Sequence, residues 1–162
     1  MSLIGIDTNR VVPVTEDLTT SELSLAILRG AERMFRVDRK LGTGVNLLKG
    51  EWAVLNSDLT LSRPGATPVA ETYLVMSGTD RFDVHATGQA TLIMNSNIIV
   101  KSNKYYGLGV YDVGTLLTVK DLGLGEAVVS PAATGEFVVG KVIEVGTGYL
   151  VYEVFPVVTV KA

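Results

Sequence analysis

The stretch with the most chemistry to offer is DRFDVHATG, residues 80–88. It holds His85, the single histidine of the chain, behind Asp80 and Asp83. On a strand Asp83 and His85 share a face, because side chains alternate with period two. A carboxylate beside an imidazole can pass a proton or hold a metal. A hydrolytic zinc centre, however, normally takes three protein ligands, and one histidine among scattered carboxylates does not supply them. The pair reads better as a polar strand edge or an oligomer contact.

GLGVYDVG (107–114) and the GTG triplets at 42–44 and 146–148 look superficially like phosphate loops. None has the strand–glycines–helix order that aims helix N–H groups at a phosphate, so all three read as turns. Neither G-x-S-x-G nor H-E-x-x-H occurs. With no cysteine and one histidine, nucleophile-plus-base pairs are almost excluded. Carboxylate or lysine chemistry stays open, which keeps a small all-β enzyme working through carboxylates among the readings. No catalytic, cofactor-binding or metal-ligating residue is assigned, and no cofactor is expected.

Tyr105, Tyr106 and Tyr111 form the densest aromatic group. They can stack on a sugar or a base, or anchor a protein interface, where tyrosine is enriched. Ordinary strand packing is the simpler role. Trp52, the only tryptophan, falls in the strand-like GEWAVL and reads as core.

Composition narrows the classes further. Hydrophobic residues make up 47% of the 162 and charged ones 19%, with a mean hydropathy of +0.34. That balance points to apolar surface covered by a partner. A net charge of −3 and a pI near 5.1 lack the basic field that nucleic-acid binding needs. The absence of cysteine removes disulfide frameworks and thiolate metal sites. MSLIGIDTNR carries no basic stretch followed by a long apolar one, so no signal peptide is read there. No apolar run approaches the ~20 residues of a membrane-spanning helix. Synthesis and folding in a cytoplasm are expected, with no membrane partner.

Most of the elements that position these residues are strands. Residues 1–18 mix β-branched residues with Pro13 and read as an extended arm that docks on something, because so apolar an arm would not stay solvated. Thr19-Thr20-Ser21-Glu22 has capping-box spacing. Leu23, Ala26, Ile27, Gly30, Ala31 and Met34 then follow on one helical face, which predicts a helix over about 20–33. A strand follows near MFRVDRK.

From Leu41 onward, short apolar runs alternate with turn residues, the pattern of a barrel or sandwich. EWAVL and LTLS flank a tight turn at Asn56-Ser57-Asp58, and Arg63-Pro64-Gly65 suits a type II turn. ETYLVM, RFDVHA, ATLIMN, NIIVKS, YYGLGVYDV, TLLTVK and EAVV are further strands. VVGKVIEVGTGYLVYEV (138–154) is a hairpin. A three-residue loop centred on Thr147 sets Lys141 opposite Glu153, a favourable cross-strand pair, whereas a two-residue loop would oppose Lys141 to Val154. Residues 49–67 can also be laid over 113–134 as a weak internal repeat.

The expected organisation is thus an arm (1–18), a helix and connector (19–40) and a β-rich body (41–162). The body is a small barrel-like or sandwich unit, with two related β-modules at about 48–78 and 111–155. The fold class is mainly β, with one short N-terminal helix and an extended N-terminal arm.

One segment resembles a known family. YDVGTLLTVKDLGLGEAVVSPAATGEFVVGKVIEVGTGYLVYEV (111–154) is similar to the terminal β-module of tailed-phage capsid decoration proteins, also called cement or head-stabilising proteins. The shared pattern is a VGTLLTVK strand, a glycine-containing turn, an Ala-Thr-Gly linker, then VVGKVIEV and a GYLVYEV strand. RFDVHATGQATLIMNSNIIVKSNKYY resembles the middle of phage structural proteins of this size, and the likeness spans roughly 48–155.

The resemblance implies a non-enzymatic binder on the outer surface of a phage virion, made in the host cytoplasm. It would stabilise the capsid across seams between subunits of the major capsid protein. A homo-oligomer is also expected, a trimer in preference to a dimer. The interface candidates are Leu3, Ile4, Ile6, Arg10, Val11, Val12, Tyr105, Tyr106 and Tyr111. A carbohydrate-binding accessory domain on a virion or cell surface, using the three tyrosines, is the alternative.

Overall fold

The runs WAVL, YLVM and TLIM are apolar at nearly every position, the mark of strands buried on both faces. They fall in β3 (Trp52–Leu55), β5 (Thr72–Ser77) and β6 (Gln89–Met94). Together with β2 (Phe35–Lys40) and β4 (Leu61–Ser62) these make a five-stranded sheet in the order β2-β6-β5-β3-β4. Trp52, Leu74 and Ile93 point into one apolar cluster, and Ala53, Val75 and Leu92 into another. Leu47, fully buried, joins the second cluster from the segment that links β2 to β3. Just past β2, Leu41 bridges to Leu61 of β4, curling this end of the sheet around the second cluster. The fold is mainly β and contains two sheets, one a half-barrel.

The computed structural model describes residues 25–78, 88–94, 96–121 and 127–162. The arm of residues 1–18, with Leu3, Ile4, Ile6, Arg10, Val11 and Val12, lies outside them, as does the RFDVHA stretch with His85. The six-stranded sheet runs β9 (Ala127–Pro131), β8 (Leu116–Asp121), β10 (Phe137–Gly146), β11 (Tyr149–Val160), β7 (Ile98–Ser102), β1 (Leu25–Arg29). Its inner residues Val100, Leu117, Val129, Val142, Leu150 and Tyr152 close over Trp52, Leu74 and Ile93 to make the inter-sheet core. Two buried clusters of this kind absorb much of the high apolar fraction.

A helix does not form over the described part of 20–33. Leu25–Arg29 is strand β1 and Ala31–Arg33 is a single 3-10 turn. The tertiary partner overrides helix propensity here, because β1 pairs antiparallel along β7 and Leu25 enters the core. Gly30 turns the corner with φ +88°, and a Cβ there would meet the Asn97 carbonyl oxygen at 2.8 Å. Residues 25–40, read as helix and connector, thus supply the last strand of each sheet among the described residues. The chain crosses between the sheets twice, side by side, because β2 lies on β6 and β1 on β7. The crossovers are tied where the Phe35 N–H donates to Ser96 Oγ at 2.9 Å.

Three smaller expectations are revised. Gly65 is not among the positive-φ glycines, so no type II turn forms there. Instead the segment is drawn across to β8, with the Asp121 N–H donating to the Gly65 carbonyl at 3.0 Å. YYGLGVYDV is a loop in which only Tyr105 bridges, to Val129. In the β10–β11 hairpin Lys141 does oppose Glu153, but the loop is the two residues Thr147-Gly148, since Gly146 pairs with Tyr149. A bulge at Ile143 restores the pairing by letting two residues oppose one.

The Asn56–Asp58 turn forms as expected, with Asn56 N–H donating to the Thr60 carbonyl at 2.9 Å. The segments of the weak repeat form β3–β4 and β8–β9, an edge hairpin in each sheet.

Candidate interaction surface

The loop between β7 and β8 is held at both ends and leaves its middle bare. At its start the Tyr106 N–H donates to the Val129 carbonyl at 2.9 Å, fastening the loop along β9. The Tyr111 hydroxyl folds back to donate to the Tyr106 carbonyl at 2.7 Å. Its ring meets Tyr105 edge-to-face, with centroids 5.6 Å apart and planes at 88°. Burial pushes the Tyr111 hydroxyl well above the usual phenol range, so it stays a donor.

Gly109 sits inside this clamp. Its N–H donates to the same Tyr106 carbonyl at 3.2 Å, and a Cβ there would lie 2.9 Å from both the Tyr111 ring and Pro131 Cδ. At the far end the Asp112 N–H donates to Thr115 Oγ1 at 2.9 Å. Gly114, with φ +94°, donates to the Val142 carbonyl at 2.8 Å.

Between these ties Leu108, Val110 and Val113 are 82%, 80% and 73% exposed. The Gly114–Val142 bond sets the loop beside the bulged part of β10, where Ile143 and Val145 are also exposed. Five aliphatic side chains on one fastened loop and its neighbouring strand are what a partner surface needs. Single exposed aliphatics are ordinary, whereas a group of them marks an interaction site.

Of the residues singled out in the sequence, Tyr105 and Tyr111 pack against the inter-sheet core and hold the loop. Tyr106 contributes its backbone. The side chains that face outward are the aliphatics between them, which sequence reading passed over as turn residues. The available signal was three aliphatic residues interleaved with Gly107, Gly109 and Gly114, too polar-poor for a solvated turn.

The remaining features are structural or shallow. Glu51 is 1% exposed, accepts from the Leu48 N–H at 3.0 Å and lies 3.4 Å from Arg63. Arg63 also reaches Asp121 at 3.5 Å, joining the β3 approach to the end of β8. At the hairpin tip the Tyr149 hydroxyl donates to Glu144 at 2.7 Å, with Lys101 Nζ 4.2 Å from the Tyr149 ring centre. Tyr149 and Lys101 border an open cavity of about 470 Å³. A second hollow of about 240 Å³ lies between the sheets, walled by Trp52, Thr72, Ile93, Val139 and Val154. It opens where four residues, 155–158, oppose Val139 alone. Among the described residues no three His, Cys, Asp or Glu side chains gather where they could hold a metal.

Comparison with protein-family models, with curated proteins and with solved structures finds no match to this chain.

Proposed function

We propose that the protein is a non-enzymatic structural component of a phage virion that binds the outer surface of the assembled capsid and stabilises it across subunit seams. The observation that carries the reading is the fastened loop with Leu108, Val110 and Val113 held out to solvent. The similarity of 111–154 to decoration proteins supplies the class of partner, the major capsid protein. A ligand that binds only the assembled shell stabilises it by ~3–4 kcal/mol per site when present at 100–1,000 times Kd. Many such sites act in parallel on one particle. The glycan alternative has less to build on, because Tyr105 and Tyr111 turn toward each other and the core.

The test is co-sedimentation of the full chain with purified tailed-phage capsids, alongside the double substitution Leu108→Asp, Val110→Asp. Burying each aliphatic is worth ~1.5–3 kcal/mol before ordering costs. The double variant should therefore keep its thermal midpoint and lose shell binding by a hundredfold or more. Equal binding by both proteins, or no binding of the full chain to the shells, would defeat the proposal. Mass spectrometry of the particle should in addition find the chain in hundreds of copies.

A further inference from the structure

We propose that the acidic segment of residues 1–18 of one copy adds as a strand to the edge formed by β1 and β2 of a second copy. Among the described residues both strands end their sheets, and such an end offers a row of backbone N–H and C=O groups to a further strand. The corner between them runs from Leu25 to Lys40 as one bent ribbon. Leu28, the extra residue of a bulge in β1, is 51% exposed and Phe35 is 62% exposed. The edge therefore offers apolar side chains as well as backbone.

Charge identifies the occupant. Over residues 29–40, Arg29, Arg33, Arg36, Arg39 and Lys40 face Glu32 and Asp38, a balance of +3. Over residues 1–18, Arg10 is the only cation against Asp7, Glu16 and Asp17, a balance of −2. The acidic segment is also rich in Leu, Ile and Val, which suits pairing on a strand edge where alternate side chains find apolar contacts.

The reach and the turn chemistry point to a second copy. With residues 1–18 on the edge, the six residues 19–24 that tether them to β1 span ~20 Å when extended, enough to reach an adjoining subunit. Folding back on β1 of the same chain needs a hairpin turn at Thr19-Thr20-Ser21-Glu22-Leu23-Ser24. That stretch has Ser and Thr but none of the Gly, Asn or Asp that tight two-residue hairpin turns favour. Such exchange is head-to-tail and closes into a ring where the rotation permits. The inference is independent of the capsid reading, because it concerns the free protein in solution.

The experiment is a charge swap in the full chain. One variant carries Arg36→Glu and Lys40→Glu, a second carries Asp7→Lys, Glu16→Lys and Asp17→Lys, and a third combines both sets. Light scattering reads the mass across concentration, and amide exchange reads β2. The wild type should run as a multiple of 17.3 kDa with β2 amides protected. Each single set should weaken association at least ~10-fold, and the combined set should restore it.

A wild type that stays at 17.3 kDa at 100 times micromolar concentration overturns the proposal, whether β2 is protected by its own arm or left open. So does failure of the combined set to recover what each single set lost, provided all variants keep the wild-type circular dichroism. A result here, for or against, leaves capsid co-sedimentation a separate question.

Discussion

Replacing Tyr111 by Phe removes one oxygen and should show whether the clamp holds the loop. The ring stays against Tyr105 and the core. The loss is confined to the 2.7 Å hydrogen bond to the Tyr106 carbonyl and a long one of 3.5 Å to the Val129 carbonyl, which keeps the Tyr106 N–H. Two magnitudes compete. A lost hydrogen bond costs ~0.5–1.5 kcal/mol net, but an orphaned buried partner raises the cost to as much as ~3 kcal/mol. The Tyr106 carbonyl also accepts from the Gly109 N–H, so it is not orphaned and the lower figure applies.

A loss of ~1 kcal/mol should lower the thermal midpoint of a domain this size by ~2–4 °C. Local opening should rise about fivefold, since 1.4 kcal/mol is a factor of ten. Hydrogen exchange should show this at the Gly109 amide, while the Thr115 amide, bonded to Asp112 at 3.0 Å, keeps its rate. Capsid affinity should fall by no more than the same fivefold. An unchanged midpoint together with unchanged Gly109 exchange would refute the clamp.

Arg63→Met should cost ~1–3 kcal/mol in denaturant titration, because it removes a cation 3.4 Å from the buried Glu51 carboxylate, which keeps its bond from the Leu48 N–H; unchanged stability contradicts this. Gly140→Ala should be comparably harmful, since its Cβ would run into the Glu153 carbonyl oxygen, and a wild-type midpoint would count against the β10–β11 register. At high pH the tyrosines should set the limit. Burial first, then the Glu71 carboxylate, pushes Tyr73 up to about 12, and burial also raises Tyr111 and Tyr152. A raised folded pKa means the contribution is complete below ~10, where unfolded phenols titrate, and is lost as pH climbs toward 12 and beyond. Phenolate absorbance should therefore rise together with loss of circular dichroism, and reversible titration of all six tyrosines near pH 10 in a native fold would contradict it.

Strands were legible in the sequence wherever apolar runs met turn residues, as at WAVL, TLIM and NIIVKS. The 25–29 stretch was not, because Leu, Ala, Ile and Arg serve a helix and an edge strand equally. Only β7, some seventy residues away, decides between them. Gly30 looked like a defect in a helix and is the corner between two strands. The Lys141–Glu153 pair was read correctly from charge complementarity, while its loop was not, because a bulge at Ile143 leaves no local signature. The outward set Leu108, Val110 and Val113 depends on where Tyr111 folds. That is a tertiary fact, whose one trace in the sequence is the run of aliphatics interleaved with glycines.

The paired crossovers at Gly30 and Ser96 carry a consequence for biosynthesis. β1 and β2 leave the ribosome well before their only partners among the described residues, β7 and β6, which follow ~50–75 residues later. At ~5–20 residues per second the delay is ~3–15 s, long beside the microseconds in which a hairpin such as β10–β11 closes. Until then the nascent ribbon has no sheet to join and is open to pairing with another chain. Arg36, Asp38, Arg39 and Lys40, spaced through β2 around a single valine, keep that waiting strand soluble. Synthesis on crowded polysomes would make neighbouring nascent copies the first surfaces it meets.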